Sequence, residues 1–382
     1  MPSNSENSII ALNVVGDVCF GLGVRGSIVK YGNEFPFEKV VDELLYSNIL
    51  FGNLEVVFPG NSARLAKRNA DIWAHDNATE SLSNAQFDIM SIANNHIMDF
   101  GIDGLENTLK LLNQNNIKYT GAGKNIDYAL KPVVIDHERI SIGFVAFADN
   151  EGQRAGRFSS GTAEATSKLV VDSVTSLKKN VDIIVVSLHM GIEFTPYPSP
   201  FQVKLSRKIA DAGADVIIGH HPHVLQGIEV YKGSLICYSL GNFVFQVYGD
   251  DYQQQAYPYS TWGAIIKINM SKNGYASHEI IPSVIKQDHR PWLACGKERK
   301  QILQHIEEIS KPLKNISEVE NLYRTTCRKF AITNLGWFEA DFQMGGFPAV
   351  LQRCLMMINR APNRRWIGGF ARGLISKVSE CV

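Results

Sequence analysis

The segment VIIGHHPH, residues 216–223, passes without a break from a β-branched apolar run into three imidazoles and a proline. A short apolar run bounded by turn residues reads as a buried strand, and the polar groups at its carboxyl end read as candidates for a site. The same pattern stands upstream. Ile9–Val15 runs into Gly16, Asp17, Val18 and Cys19; Ile49–Phe51 into Gly52, Asn53, Leu54 and Glu55; and Ile89–Ile92 into Ala93, Asn94, Asn95 and His96. Ile183–Leu188 runs into His189, Met190, Gly191, Ile192 and Glu193. Two further runs, Ile140–Phe147 and Leu235–Tyr238, complete the series. Between them Gly104–Asn113 sets Leu105, Leu109 and Leu112 at helical spacing, and Phe201–Ala212 does so with Leu205, Ile209 and Ala212. Strands alternating with helices predict βαβ units and an α/β fold. In open α/β sheets ligands sit at the carboxyl ends of the strands, so five strand ends carrying acids, amides and imidazoles predict one shared site.

Composition bounds the rest. The chain has 382 residues, 45% hydrophobic and 20% charged, which is enough to bury a sizeable core and too apolar for disorder. Lys plus Arg and Asp plus Glu are 38 each, so no basic field argues for nucleic acid as a partner. Six cysteines, at 19, 237, 295, 327, 354 and 381, form no C-x-x-C pair and are too sparse for a disulfide framework. The start, MPSNSENSIIALNVVGDVCF, lacks a basic region ahead of its short apolar run and reads as a first strand. No run of 18 apolar residues occurs, and the expectation is a cytoplasmic chain in a reducing compartment.

The polar stretch at 150–166, NEGQRAGRFSSGTAEAT, predicts a surface loop near the site or a lid. From Cys295 the texture changes to amphipathic helical patterns, which predicts a principal domain over 1–294 and a helical C-terminal region over 295–382. That region holds 14 Lys and Arg against 8 Asp and Glu. Its end, RRWIGGFARGLISKV at 364–378, sets Trp366, Ile367, Phe370, Leu374 and Ile375 among Arg364, Arg365, Arg372 and Lys377. It reads either as a peripheral contact with the anionic inner membrane or as a terminal helix packed on the body.

A lone Asp after a strand is ordinarily a turn residue, and a lone buried His is ordinarily a satisfied polar group. The ordered set is harder to explain structurally, because imidazole is a costly filling for a core. Carboxylates, imidazoles and an amide oxygen suit one or two divalent ions such as Mn, Zn or Fe, which neutralise an anionic substrate and lower the pKa of bound water. His96, beside Asn95, stands where a general acid would face a leaving group. Within GHHPH, His221 and His223 alternate, so an extended backbone would turn both to one side and His220 away.

Longer stretches carry a resemblance. GDVCFG at 16–21, GNLEVVF at 52–58, FDIMSIANNHIMDFGIDGLENTLKLL at 87–112 and YTGAGKN at 119–125 are four of them. VSLHMGIEFTPYPSPFQ at 186–202, ADAGADVIIGHHPHVLQGIEVYKGSLICYSLGNFVF at 210–245 and HRP at 289–291 complete the set. Together they resemble the CapA family of capsule and poly-gamma-glutamate biosynthesis proteins, whose fold is similar to that of calcineurin-like metallophosphatases. The resemblance implies a four-layer α/β/β/α sandwich with a C-terminal helical appendage. It implies Asp17, Glu55, Asn95, His189, His221 and His223 as metal ligands, His96 as general acid beside catalytic Asp17 and Glu55, and Glu193, Ser239, Asn242 and Arg290 as substrate contacts. Two departures stand out against true phosphatases: Cys19 where an Asp-x-His motif has histidine, and the longer Glu55 where a bridging Asp is usual.

Three functions are therefore expected in competition. The first is a metal-dependent hydrolase of phosphoester or amide-type bonds in capsule or exopolymer assembly. The second is a metal-independent epimerase using His and carboxylate pairs. The third is a non-catalytic accessory subunit that binds polymer or a polymer synthase.

Overall fold

A computed structural model describes residues 8–63, 72–149, 152–249 and 259–326. In chain order the strands are β1 (Ile10–Val18), β2 (Ile49–Leu54), β3 (Ile89–Ser91), β4 (Lys118–Thr120), β5 (Ala122–Gly123), β6 (Val133–His137), β7 (Ile140–Ala148) and β8 (Gly161–Thr162). They continue as β9 (Ile183–His189), β10 (Val216–His220), β11 (Ile228–Tyr231), β12 (Ser234–Cys237), β13 (Asn242–Val244), β14 (Trp262–Ser271), β15 (Gly274–Ile285) and β16 (Pro291–Leu293). The helices are α1 (Leu22–Tyr31), α2 (Val41–Leu44), α3 (Glu80–Asn84), α4 (Gly101–Gln114), α5 (Ile126–Ala129), α6 (Ser167–Leu177), α7 (Pro200–Asp211) and α8 (Gly296–Ser310).

Two sheets carry the fold. The first runs β16-β15-β14-β1-β2-β3-β4, with β13 also paired to β1; the second runs β11-β12-β10-β9-β7-β6. β1 to β4 are mutually parallel, as are β7, β9, β10 and β12. The expected βαβ units therefore supply the parallel strands of both sheets; antiparallel strands finish both edges of the second sheet and the β14–β16 edge of the first, while parallel β4 forms its other edge.

The apolar residues sort into layers by the pleat. Leu12, Val14 and Phe51 of the first sheet meet Ile142, Phe144, Val185 and Ile218 of the second in one buried cluster between the sheets. On the outer face of the first sheet Val15, Leu50 and Met90 pack against Val24 and Ile28 of α1, Leu82 of α3 and Leu105 and Leu112 of α4. On the outer face of the second, Val145, Ile184 and Val186 pack against Val170 and Val174 of α6 and Val203, Leu205 and Ile209 of α7. That is the four-layer α/β/β/α sandwich the resemblance implied.

Local signals agree. α7 spans 200–211 because Pro200 sets its first turn and Ser199 and Gln202 form a reciprocal capping box. α8 begins after Cys295, where the texture changes. Its apolar side, Ile302, Ile306 and Ile309, enters the cluster between the sheets. The described part of the C-terminal region, up to residue 326, packs on the body through α8, while the basic stretch at 364–378 lies outside the described residues. Among the described residues no helix is long and apolar enough to cross a membrane.

Candidate metal centre

Every polar strand end identified in the sequence lies at a carboxyl edge of one of the two sheets. Asp17 is the penultimate residue of β1 and pairs in register with Asn53 of β2. Glu55 follows β2, and its amide donates to Val18 O at 2.9 Å. Asn94–His96 follow β3, and His189 closes β9 opposite His220, the last residue of β10. The edges meet: Asp17, Glu55, His189, His220, His221 and His223 are all buried, at 0–6% exposure.

Their ligating atoms form two overlapping groups. One atom each from Asp17, Glu55 and His189 lie within 4.8 Å of one another, as do atoms from Glu55, His221 and His223. Glu55 belongs to both. Its Oε1 is 3.8 Å from His189 Nε2 and 3.7 Å from His223 Nε2, while Asp17 Oδ2 is 3.6 Å from His223 Nδ1. Asn95 joins through Oδ1, 3.0 Å from His189 Nε2.

The electrostatics suit cation binding. Burial, reinforced by the neighbouring His221, His220, His223 and His96, holds the His189 imidazole well below its ordinary pKa. Burial likewise lowers that of His223, against the pull of Asp17 and Glu193. Burial acts to raise the pKa of Asp17, but hydrogen bonding and charge attraction from His220, with His223 and Asn53, carry it below the carboxylate norm. Neutral imidazoles beside a buried ionised carboxylate are Lewis bases, and a divalent cation fits this donor set.

Supporting contacts orient the donors. Asn53 Nδ2 donates to Asp17 Oδ1 at 2.8 Å and lies 3.2 Å from His189 Nδ1. Asn242 Oδ1 is 2.9 Å from His223 Nδ1, which leaves Nε2 facing Glu55, and its Nδ2 donates to His223 O and Ser260 O. His96 Nδ1 is 2.8 Å from Asp99 Oδ2, and its Nε2 is 3.3 Å from Asn95 Nδ2. Its side chain is 15% exposed, so the ring stands at the rim of the otherwise buried cluster.

Two expectations are corrected. The 221–223 segment is not extended: His221 and His223 have φ of 93° and 57°. They converge because the turn wraps around the centre, and such backbone strain is typical of functional sites. Nor does His220 turn away, since its Nδ1 is 3.3 Å from Asp17 Oδ1. Residues implied as substrate contacts divide. Asn242 supports His223, as described, and Glu193 is a half-buried residue of the loop after β9 whose charge reaches His223. Ser239 Oγ donates to Val224 O and accepts from Gly241 N, so its hydroxyl is taken up by backbone groups. Arg290 pairs with Asp288 at 2.7 Å and with Glu38, and its guanidinium lies 3.9 Å from the Phe35 ring centroid. Cys19 is a fully buried thiol that accepts from Gly21 N, and burial raises its pKa far above the ordinary value. Asp99 and Asn53 received no role in the sequence reading. The available signals were the three-residue step from His96 to Asp99 and the register of Asn53 with Asp17.

The arrangement defines a class: an α/β/β/α sandwich with an acid–imidazole centre where its strands end. The match of residues 11–247 to the bacterial capsule synthesis protein PGA_cap model gives the family, and the chain belongs to it. Similar proteins include the capsule biosynthesis protein CapA of Bacillus anthracis, 30% identical over 79% of this chain and 74% of that one. The PGA biosynthesis protein CapA of Bacillus subtilis is 31% identical over 72% of each chain. A "probable polyglutamine synthesis accessory protein" of Mycobacterium tuberculosis is 29% identical over 53% of this chain and 55% of its own. Among solved structures, a hypothetical protein from Thermus thermophilus has a TM-score of 0.44 at 14% identity, over 72% of this chain and 98% of that one. A 5'-nucleotidase from Candida albicans has 0.40 at 11%, over 79% and 58%.

Proposed function

We propose that the chain is a metal-dependent hydrolase working in capsule or poly-gamma-glutamate assembly, on a phosphoester or amide-type bond. The observation that carries this reading is Glu55, a buried carboxylate common to both ligand groups. Asp17, Glu55, Asn95, His189, His221 and His223 would hold one or two ions of Mn, Zn or Fe. Such ions supply Lewis acidity and offset negative charge on the substrate.

The remaining chemistry belongs to side chains. Asp99, 1% exposed, fixes the His96 ring through Nδ1 and offsets positive charge when Nε2 carries a proton. His96 can then deliver that proton to the leaving atom, the step expected of a general acid at the rim. Phe194 and Phe245, with ring centroids 5.9 and 4.9 Å from that of His223, keep water from the imidazoles on their side. Glu193 is the remaining candidate substrate contact. The names of the relatives support a place in polymer synthesis, with polymer or synthase subunits as partners.

The test joins elemental analysis to a screen of phosphomonoesters, phosphodiesters and gamma-glutamyl peptides. Stoichiometric metal is expected, with hydrolysis of one class, and His221→Ala should lose metal while its circular dichroism stays native. Protein without metal that stays active after chelation would instead establish proton transfer without metal. Metal-loaded protein that cleaves none of the three classes would leave the accessory role.

A further inference from the structure

The segment that carries His221 and His223 runs on through 224–227 into β11, and there it meets the end of α8. Ile228 N donates to Ser310 Oγ at 2.9 Å, although the two residues stand 82 positions apart. Gly227 lies against the same helical turn: a Cβ built on it would sit 2.8 Å from Ile309 O and 3.0 Å from the Cα of Ser310. Glu229 accepts from Nε and Nη2 of Arg207 on α7, at 3.0 and 2.7 Å, and Nη2 also donates to Leu313 O just beyond α8, at 2.6 Å. Gln226 carries the attachment back toward the imidazoles. Its Nε2 donates to Thr195 O at 2.8 Å and its N to Ser239 O at 3.1 Å, while Phe194 N donates to Pro222 O at 2.8 Å.

A second route starts at His305, earlier in the same helix. Its ring centroid is 5.0 Å from that of Tyr259 and 5.5 Å from that of Trp262, and those two rings are stacked at 4.2 Å. Between them Ser260 O accepts from Asn242 Nδ2 at 3.3 Å, and Asn242 Oδ1 is 2.9 Å from His223 Nδ1. Both routes end at the 221–223 turn. His189 is fixed differently: it pairs with Ala148 of β7 and His220 of β10 inside the second sheet, and its carbonyl accepts from Asp149 N at 2.8 Å.

We propose that His305 and Ser310 are positioning residues of the centre. Through β11 and through Asn242, α8 sets the turn that brings His221 and His223 to Glu55, whereas the sheet sets His189 beside Asp17 and Glu55. The backbone supplies the reason for two attachments. With φ of 93° and 57°, His221 and His223 hold conformations that persist only where the surroundings over-determine them. The inference rests on the reading of the centre as one that holds a cation. Coupling between two sites is reciprocal, so a cation at the centre steadies α8 in turn.

Titration of the full chain with Mn, joined to amide hydrogen exchange read by mass spectrometry, tests it. The double variant His305→Ala, Ser310→Ala keeps Ile302, Ile306 and Ile309, which dock α8 on the body. It should bind Mn about tenfold more weakly. In the metal-free protein its exchange across 221–229 should rise, with that of β9 unchanged. His305→Phe with Ser310→Thr returns a ring and a hydroxyl and should restore both readouts, while Lys300→Ala, at an exposed position of α8, should leave both at wild type. In wild type, Mn should slow exchange across 305–313 as well as across 221–229. A double variant with wild-type Mn affinity and wild-type exchange across 221–229 would overturn the proposal. So would equal rises in exchange in β9 and across 221–229, the mark of a general loosening. The two readings fail separately. Wild type that takes up no Mn, while the double variant still raises exchange across 221–229 alone, removes the cation and keeps the support from α8. Mn binding that protects 221–229 but not 305–313, and that the double variant leaves intact, removes the support and keeps the centre.

Discussion

Buried imidazoles need partners that decide which nitrogen is offered, and the residues beside the ligands supply them. Asn242 takes Nδ1 of His223 and leaves Nε2 toward Glu55. Asn242→Ala should therefore weaken Mn binding about 10- to 100-fold, read by titration, with unfolding cooperativity kept. Asp99 holds the ring of His96 through Nδ1. Asp99→Asn should lower kcat about a hundredfold with metal content and KM nearly unchanged, and it should alter the pH profile of kcat. A variant that lost metal in proportion to activity would show Asp99 to be structural. Asp17, Glu55 and the imidazoles were legible as candidates because they interrupt apolar runs at one end. Asp99 was not, because among Met98, Phe100 and Gly101 the only signal is its three-residue step from His96, and that step gains meaning only when the two side chains are seen 2.8 Å apart.

At the level of elements, a repeated device anchors the strand starts. Asp88, Asp182 and Asp215, each next to or one residue before a strand, accept from the backbone amides of Leu50, Ser141 and Ile184 on the neighbouring strand. The electrostatic consequence differs in sign. The Ser141 amide and hydroxyl hold the half-buried Asp182 carboxyl below its ordinary 3.8. Burial raises Asp215 above 3.8 despite the Ile184 amide and Lys178. Between 3.8 and its raised value Asp215 binds more protons folded than unfolded, so stability falls as pH rises through that window. Asp182 does the opposite, with a contribution present above 3.8 that is lost as pH falls through its depressed value. In urea unfolding followed from pH 3 to 6, Asp215→Asn should reduce the first slope and Asp182→Asn the second. A shared slope in both variants would refute the assignment. β10 has a further constraint: a Cβ on Gly219 would sit 1.8 Å from Tyr238 O, so Gly219→Ala should lower the midpoint and displace the 220–223 turn.

In the whole molecule, the layer between the sheets decides whether the two groups of strand ends meet. Phe51 of the first sheet stacks on Phe144 of the second with centroids 5.8 Å apart, both buried. Phe144→Ala should cost about 3–5 kcal/mol by denaturant unfolding, and because it loosens the packing of one sheet on the other it should also weaken metal binding. Chelation should lower the melting temperature of wild type, since a ligand at 100 times its Kd adds about 2.7 kcal/mol. In His221→Ala that dependence should vanish. A melting temperature indifferent to chelator in wild type would count against the centre.

The helices at 101–114 and 200–211 and the parallel strands were readable because a 3.6-residue apolar period and β-branched runs arise from local geometry. The β14–β15 hairpin was not, since Lys267, Asn269, His278 and Glu279 break its apolar pattern and only pairing with β1 makes it a strand. That acids and imidazoles would gather at strand ends followed from chain direction, because parallel strands of one sheet must send their carboxyl ends the same way. Which atoms meet was settled only by the packing of one sheet on the other. That packing joins Asp17 and Glu55 to His189, His221 and His223 across more than a hundred residues of chain, and no local period records it.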